Sequence, residues 1–238
     1  MFYFLFPTLL TYNFILLAAA VIPAAALMVK VYRSDRLEKE SPYMLWNLIR
    51  AGILSSLIAM VAERVLSGLL GMTVSDPGLY QVLLYFVVVA FSEEGAKYFM
   101  LRRHSWNARE FNCQYDGVVY AIFVSLGFAL WENISYVMHY GLSTAIVRAE
   151  TAIPGHTCFG VFMGIFYGIA RKSANRGLRD SARRCEGLAV LVPALLHGAY
   201  DYIASTASGS GWFVVFILIL FVLSYRMVVL SSSRDRYI

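Results

Sequence analysis

The chain has 238 residues, of which 59% are hydrophobic and 15% are charged, and its formal net charge at pH 7 is +5. This composition, with a mean hydropathy of +0.63, is too apolar for a soluble domain of this length. We expect no nucleic-acid partner despite the positive charge, because the basic residues lie in short loops between apolar runs. The composition instead predicts an all-α polytopic membrane protein.

Seven apolar runs predict seven transmembrane helices, since a helix of about 20 residues crosses the hydrocarbon core of a bilayer. The first run lacks the basic stretch and the small-residue cleavage site of a signal peptide, so we interpret it as a retained span. The fifth and sixth runs are the shortest. We expect a single membrane domain over 1–238, with spans at Leu9–Val31, Leu45–Leu70, Leu79–Leu101, Tyr115–Tyr140, Pro154–Ala170, Gly187–Tyr202 and Gly211–Leu230.

The basic residues of the loops alternate between the two sides of the predicted bundle. The loops of one side hold only Arg148. The loops of the other side hold Arg33, Arg36, Lys39, Arg102, Arg103, Arg109, Arg171, Lys172, Arg176, Arg179, Arg183, Arg184, Arg234 and Arg236. Cytoplasmic loops of membrane proteins are enriched in lysine and arginine. The pattern therefore predicts a cytoplasmic C-terminus and an N-terminus on the outside.

The third span contains two adjacent carboxylates, Glu93 and Glu94, deep within an apolar run. A charge at the bilayer centre costs about 2.5–3.5 kcal/mol on insertion scales, so such residues are candidates for function. Lys97 follows at helical spacing and shares a face with both glutamates. A purely structural ion pair would explain one glutamate, but one lysine does not neutralise two carboxylates.

The fourth span carries Glu132 and Asn133 far inside its apolar run. A structural hydrogen bond between helices explains Asn133 well and Glu132 less well. Asp116 stands at the start of this span, where a helix N-cap is at least as good an explanation as a catalytic role.

The fifth span begins with His156 and continues with glycines at four-residue spacing: Gly160, Gly164 and Gly168. A stripe of glycines on one helix face lets a second helix approach closely. We expect His156, which is in line with the stripe, to face that second helix. A lone buried histidine is more often structural than catalytic. A catalytic role for His156 therefore depends on a second histidine.

The sixth span supplies that second histidine, His197, with Asp201 four residues later on the same helix face. The pair is either a local hydrogen bond that holds a helix or an oriented histidine beside a reaction centre. Carboxylates and imidazoles are the groups with which a protease deprotonates water and protonates a leaving amine. On straight helices, however, Glu93 would lie nearer the inner surface than Glu132 or His156.

These residues, taken in order, resemble the signature of the PrsW family of intramembrane proteases, which is distantly similar to the CAAX-processing proteases. The similarity extends from about Leu79 to Tyr202, the motif-bearing core of the chain. Arg148 and the pair Val192-Pro193 also look similar to the family. The matching motifs are Glu93-Glu94-x-x-Lys97, Asp116-Gly117, Gly127-Phe128-Ala-x-x-Glu132-Asn133-Ile-x-Tyr136, His156 and His197-Gly-x-Tyr-Asp201.

The resemblance implies a multi-pass peptidase of the bacterial plasma membrane. The family's best-known member makes the first cut, the site-1 cleavage, in a single-pass anti-sigma factor, so we expect a partner of that kind. The resemblance also implies an essential pair of glutamates and further catalytic residues. These are Glu93, Glu94, Glu132, His156, His197 and Asp201, with Lys97 and Asn133 in support.

Metal dependence stays open at the level of the sequence. Glu93, Glu94, His156 and His197 are of the residue types that bind Zn²⁺. The chain has no His-Glu-x-x-His, the usual helical zinc-protease signature, and the related CAAX-type enzymes imply a metal-free glutamate site. We therefore favour hydrolysis without a cofactor, by water that glutamate and histidine activate, and keep zinc as the alternative.

Two other functions are compatible with these residues. Buried glutamate, histidine and aspartate also build proton relays in transporters and channels, although the internal repeats common in transporters are not evident here. A scaffold that binds a partner's transmembrane helix through the glycine stripe would leave the buried carboxylates unexplained. A serine protease is not supported, because the chain has no Gly-x-Ser-x-Gly.

Overall fold

The computed structural model describes residues 2–35, 37–206 and 211–238, which are almost entirely helical. Arg36, one of the basic loop residues, lies outside the described residues. The helices in chain order are α1 (Phe2–Ser34), α2 (Pro42–Thr73), α3 (Pro77–Leu83), a π-helical segment (Leu84–Val89), α4 (Ala90–Ser105), α5 (Asp116–Tyr140), α6 (Leu142–Glu150), α7 (Ala152–Asn175), α8 (Arg179–Thr206) and α9 (Gly211–Ser233).

Seven segments of the described chain are long and apolar enough to cross a membrane, which confirms the prediction of a polytopic helical protein. The prediction of short fifth and sixth spans is wrong. The fifth segment covers Leu142–Asn175 and the sixth Arg179–Thr206. Both continue past their apolar runs into polar turns that carry basic residues, because arginine and lysine are good helix formers and extend to the membrane surface.

Helix α5 is the central helix of the bundle. Of its most apolar window, 78% is buried inside the protein, against 17% for the corresponding window of α2. Its close neighbours include α7, because the glycine stripe of α7 lies against it. A Cβ atom on Gly164 would collide with the backbone of Gly117 and Val118 in α5. The second helix expected to face the stripe is therefore α5 of the same chain, which removes the main argument for a scaffold.

The expected N-cap role of Asp116 is wrong, because Asp116 is itself the first residue of α5 and Tyr115 precedes it. Its carboxylate Oδ2 instead accepts hydrogen bonds from the backbone N–H groups of Asn112 at 3.0 Å and Cys113 at 2.6 Å. Asp116 therefore fastens the preceding loop to the start of the central helix.

Candidate active site

The structure brings together all six residues expected to be catalytic, from α4, α5, α7 and α8. The expected mismatch in depth is wrong. His156 Nε2 lies 3.0 Å from Glu132 Oε2, and His197 Nδ1 lies 2.9 Å from Glu94 Oε1. One observed departure from straight helices is the π-helical segment directly before α4. A π-turn adds a residue to the helical repeat and so changes how the two parts of the span are aligned.

Lys97 lies at the centre of this cluster, with none of its side chain exposed. Its ammonium Nζ is 3.2 Å from Glu93 Oε2, 2.8 Å from Glu94 Oε1 and 3.0 Å from His156 Nδ1. The ring of Phe128 covers a further side, with its centroid 4.0 Å from Nζ. The lysine therefore ties α4 to α7 as well as binding both glutamates.

These contacts assign the tautomer of His156. A lysine ammonium has only donors, so the His156 nitrogen that faces Lys97, Nδ1, must accept. The opposite nitrogen, Nε2, then carries the hydrogen and donates it to Glu132. His156 is therefore a neutral imidazole held in one orientation between a cation and a carboxylate.

His197 has different surroundings, because both of its ring nitrogens face carboxylates. Nδ1 lies 2.9 Å from Glu94 Oε1, and Nε2 lies 3.4 Å from Asp201 Oδ2. Both nitrogens are thus placed to donate, which suits a ring that carries and delivers a proton. The second oxygen of Glu94, Oε2, is buried without a hydrogen-bond partner in the described part of the chain.

Arg148 is a member of this cluster that the residue patterns did not place there. Its guanidinium donates to Glu132 Oε2 at 2.7 Å and to Asn133 Oδ1 at 3.0 Å, and it lies over the ring of Tyr136. Asn133 also donates to the backbone oxygen of Ala20 in α1 at 2.8 Å, which confirms its interhelical hydrogen bond. Two signals for Arg148 were available in the sequence: its similarity to the family, and its isolation on a side of the bundle whose loops otherwise hold no arginine or lysine.

A cavity of about 560 Å³ opens onto the cluster. Glu93, Glu132, His156, His197 and Asp201 all contribute to its wall. Its further lining residues include Glu63, Tyr85, Tyr136, Arg148 and Tyr200. Glu94 and Lys97 lie behind this wall, and neither is exposed. The cavity thus gives water and a substrate access to one glutamate of the pair, Glu93.

Comparison with known proteins identifies the family. The model of the PrsW family, described as intramembrane metalloproteases, matches residues 40–228. "Protease PrsW" of Bacillus subtilis is 34% identical over 196 residues, which cover 82% of this chain and 85% of that protein. "Protease PrsW" of Geobacillus kaustophilus is 31% identical over 226 residues, covering 94% of this chain and 95% of that protein. The chain belongs to the PrsW family.

Membership of the PrsW family confirms the resemblance seen in the sequence and makes this chain a peptidase. With its seven membrane-spanning segments, it is a multi-pass bacterial membrane protein whose substrates are proteins within the membrane. The family assignment favours the protease over the transporter and channel alternatives. No solved structure matches the chain.

The metalloprotease description of the PrsW family raises the question of whether this site fits a metal ion. Glu93, Glu94 and His156 each offer a ligand atom, and these atoms lie within 4.8 Å of one another. All three residues, however, hydrogen-bond to Lys97 Nζ. His197 directs its nitrogens at Glu94 and Asp201 instead. With Lys97 in this position, the donor set does not fit a metal.

Proposed function

We propose that this chain is an intramembrane endopeptidase that makes the first cut in a single-pass membrane protein, an anti-sigma factor. The observation that carries the proposal is the set of carboxylates and imidazoles that meet around a cavity inside the membrane-spanning helices. Buried ionisable groups at membrane depth are costly and mark functional sites. The resemblance to the PrsW family is the support for the anti-sigma factor.

Glu93 is the proposed general base, because its carboxylate lines the cavity whereas Glu94 lies behind it. It removes a proton from a water molecule in the cavity, and the resulting oxygen attacks the carbonyl carbon of the scissile peptide bond. Lys97 holds Glu93 in place through a hydrogen bond of 3.2 Å. Neutral His156, whose two nitrogens bind Lys97 and Glu132, lines the cavity beside the water and holds those two groups in place.

His197 is the proposed proton donor, with Asp201 as the group that orients it. The tetrahedral intermediate carries a negative oxygen, which His197 and the guanidinium of Arg148 stabilise from the cavity wall. When the intermediate collapses, the C–N bond breaks and the leaving nitrogen takes a proton from His197. The proton that Glu93 removed from water then restores His197, which balances the cycle.

The proposed site lies toward the outer surface of the membrane. His156 is close to the start of α7 and Asp201 is close to the end of α8, and the loop charges assign both helix ends to the outside. A second cleft of about 620 Å³, between α2 and the π-helical segment, shares Glu63 and Val89 with the catalytic cavity. We propose that the substrate's membrane-spanning segment approaches along this cleft and is cut near its outer end.

Cleavage of a tagged single-pass anti-sigma factor in proteoliposomes tests this function. Wild type should produce one shortened membrane fragment, and Glu93→Gln should produce none, since glutamine keeps the shape but does not accept a proton. Glu186→Gln is the matched control, because Glu186 pairs with Arg102 far from the cavity. Equal cleavage by wild type and Glu93→Gln would remove Glu93 from the mechanism. Failure of wild type on this substrate, with cleavage of another single-pass protein, would overturn the anti-sigma factor alone.

A further inference from the structure

The ammonium of Lys97 is fully enclosed by partners. A lysine ammonium has three N–H donors and no acceptor, and three acceptors surround this one: Glu93 Oε2, Glu94 Oε1 and His156 Nδ1. The ring face of Phe128 lies against it, 4.0 Å from Nζ to the centroid, at a distance typical of a cation–π contact. Every donor of the buried lysine is therefore satisfied.

The same three acceptors are the residues that would hold a metal ion. Zinc binds histidine nitrogen at about 2.0–2.1 Å and carboxylate oxygen at about 2.0–2.2 Å. The acceptors instead lie 2.8–3.2 Å from Nζ, which are hydrogen-bond distances. A divalent ion among them would stand in contact with the ammonium, so like charges would repel where little water screens them. Lys97 occupies one ligand atom of each of the three residues. The remaining oxygens of the two glutamates are fewer than the three or four protein ligands that a zinc site takes.

We propose that Lys97 is the resident cation of this site and excludes a metal ion from it. The ammonium supplies positive charge to the glutamate pair and fixes the tautomer of His156, as a bound ion would otherwise do. The catalytic role of the site rests on the proposed function. The exclusion of metal by Lys97 rests only on the hydrogen bonds of its ammonium. Removal of the ammonium then leaves two carboxylates and an imidazole nitrogen facing one space, which is a divalent-metal site.

Metal binding to purified protein tests the proposal without any measurement of activity. Wild type and Lys97→Ala are purified from metal-depleted medium, titrated with Co²⁺ and Zn²⁺, dialysed and analysed for metal content. We expect no retained metal and no cobalt absorption bands in wild type. We expect Lys97→Ala to gain one equivalent per chain, and the double variant Lys97→Ala/His156→Ala to lose it. Lys172→Ala, at a lysine bonded to Gln114 outside the cluster, is the matched control and should resemble wild type.

Two results would overturn the proposal. One is a stoichiometric metal in wild type that disappears in His156→Ala. The other is a folded Lys97→Ala that binds no metal, because Lys97 would then not be what excludes it. If Lys97→Ala does not fold, a stoichiometric metal in wild type would still overturn the proposal. Failure of the proposed function would appear differently, as wild-type protein that cleaves no membrane protein whatever its metal content.

Discussion

The proposed roles of the two histidines rest on their hydrogen-bond partners. His156 stands between a cation and a carboxylate, so it is neutral with its hydrogen on Nε2. His197 stands between Glu94 and Asp201, so it can donate from both nitrogens. Two imidazoles whose ring centroids are 5.4 Å apart therefore differ in their hydrogen-bonding surroundings. In the proposed mechanism, His197 is the group that releases a proton to the leaving nitrogen, and His156 holds its cation and carboxylate partners in position.

Replacement of Arg148 by lysine should reduce cleavage without unfolding the protein. Lysine keeps the charge but cannot contact Glu132 and Asn133 with the planar fork of the guanidinium. We expect the turnover rate to fall by about 100-fold, the size of effect that misplacement of a catalytic group produces. Turnover and thermal midpoint are measured together, with Arg103→Lys at an exposed position as the control. If the thermal midpoint of Arg148→Lys also fell, so that unfolding accounted for the lost activity, the positioning role would be contradicted.

A buried carboxylate cluster at the other end of the bundle makes stability depend on pH. Ligand atoms of Asp35, Glu40 and Asp116 lie within 4.8 Å of one another. Burial, reinforced by the charge of Asp116, raises the pKa of Glu40 from its ordinary 4.5 to about 9. The folded protein therefore holds a proton that the unfolded chain releases above pH 4.5. The contribution of Glu40 to the free energy of unfolding is therefore fully present below pH 4.5 and is lost as the pH rises toward 9.

The variant Glu40→Gln should lose that part of the pH dependence. Glutamine still offers an oxygen to the hydroxyl of Tyr120, which donates to Glu40 Oε2 at 2.7 Å. We expect similar thermal midpoints for wild type and variant at pH 5, and a higher midpoint for the variant at pH 8–9, by roughly 2–4 °C per kcal/mol. Thermal unfolding in detergent from pH 5 to pH 9 measures the difference in midpoint, with Glu38→Gln at an exposed position as the control. Parallel curves for wild type and Glu40→Gln would refute the assignment.

Among the helices, the contact between α5 and α7 depends on glycine. A methyl group at Gly164 would meet the backbone of Gly117 and Val118, so Gly164→Ala must push the two helices apart. We expect it to destabilise the protein by about 1–3 kcal/mol, as overpacking does. The matched control is Gly187→Ala in α8, where nothing lies within 4 Å. There alanine should stabilise the helix by about 0.5–1 kcal/mol. Shifts of the thermal midpoint in the same direction for the two variants would contradict this packing.

Contacts within one helix were predictable from the sequence, whereas contacts between helices were not. The spacing of Glu93 and Lys97, or of His197 and Asp201, fixes a shared face once the helix is known. The contact of Lys97 with His156 depends on the relative height of α4 and α7. That height is affected by the π-helical segment Leu84–Val89, which no residue pattern announced. The contacts of Arg148 with Glu132 and Asn133 were not predictable for a related reason, because they depend on how α6 packs against α5.

For the whole molecule, the charge of the loops predicts on which side of the membrane the proposed chemistry takes place. The expectation of a single domain over 1–238 stays a prediction. The orientation of the bundle remains a proposal, and the outward position of the site depends on it. If the N-terminus is outside, His156 and Asp201 lie near the outer surface, where a first cut would release the external part of a substrate.

Labelling of single cysteines in intact cells tests this orientation. The two positions are Ser75, in the exposed connection between α2 and α3, and Arg176, exposed after α7. In a Cys185→Ser background, in which the other two cysteines are buried, a membrane-impermeant maleimide should label Ser75→Cys in intact cells. It should label Arg176→Cys only after the membrane is opened. The reverse pattern would place the site near the cytoplasmic surface, and a first cut would then fall on the cytoplasmic side of the substrate's span.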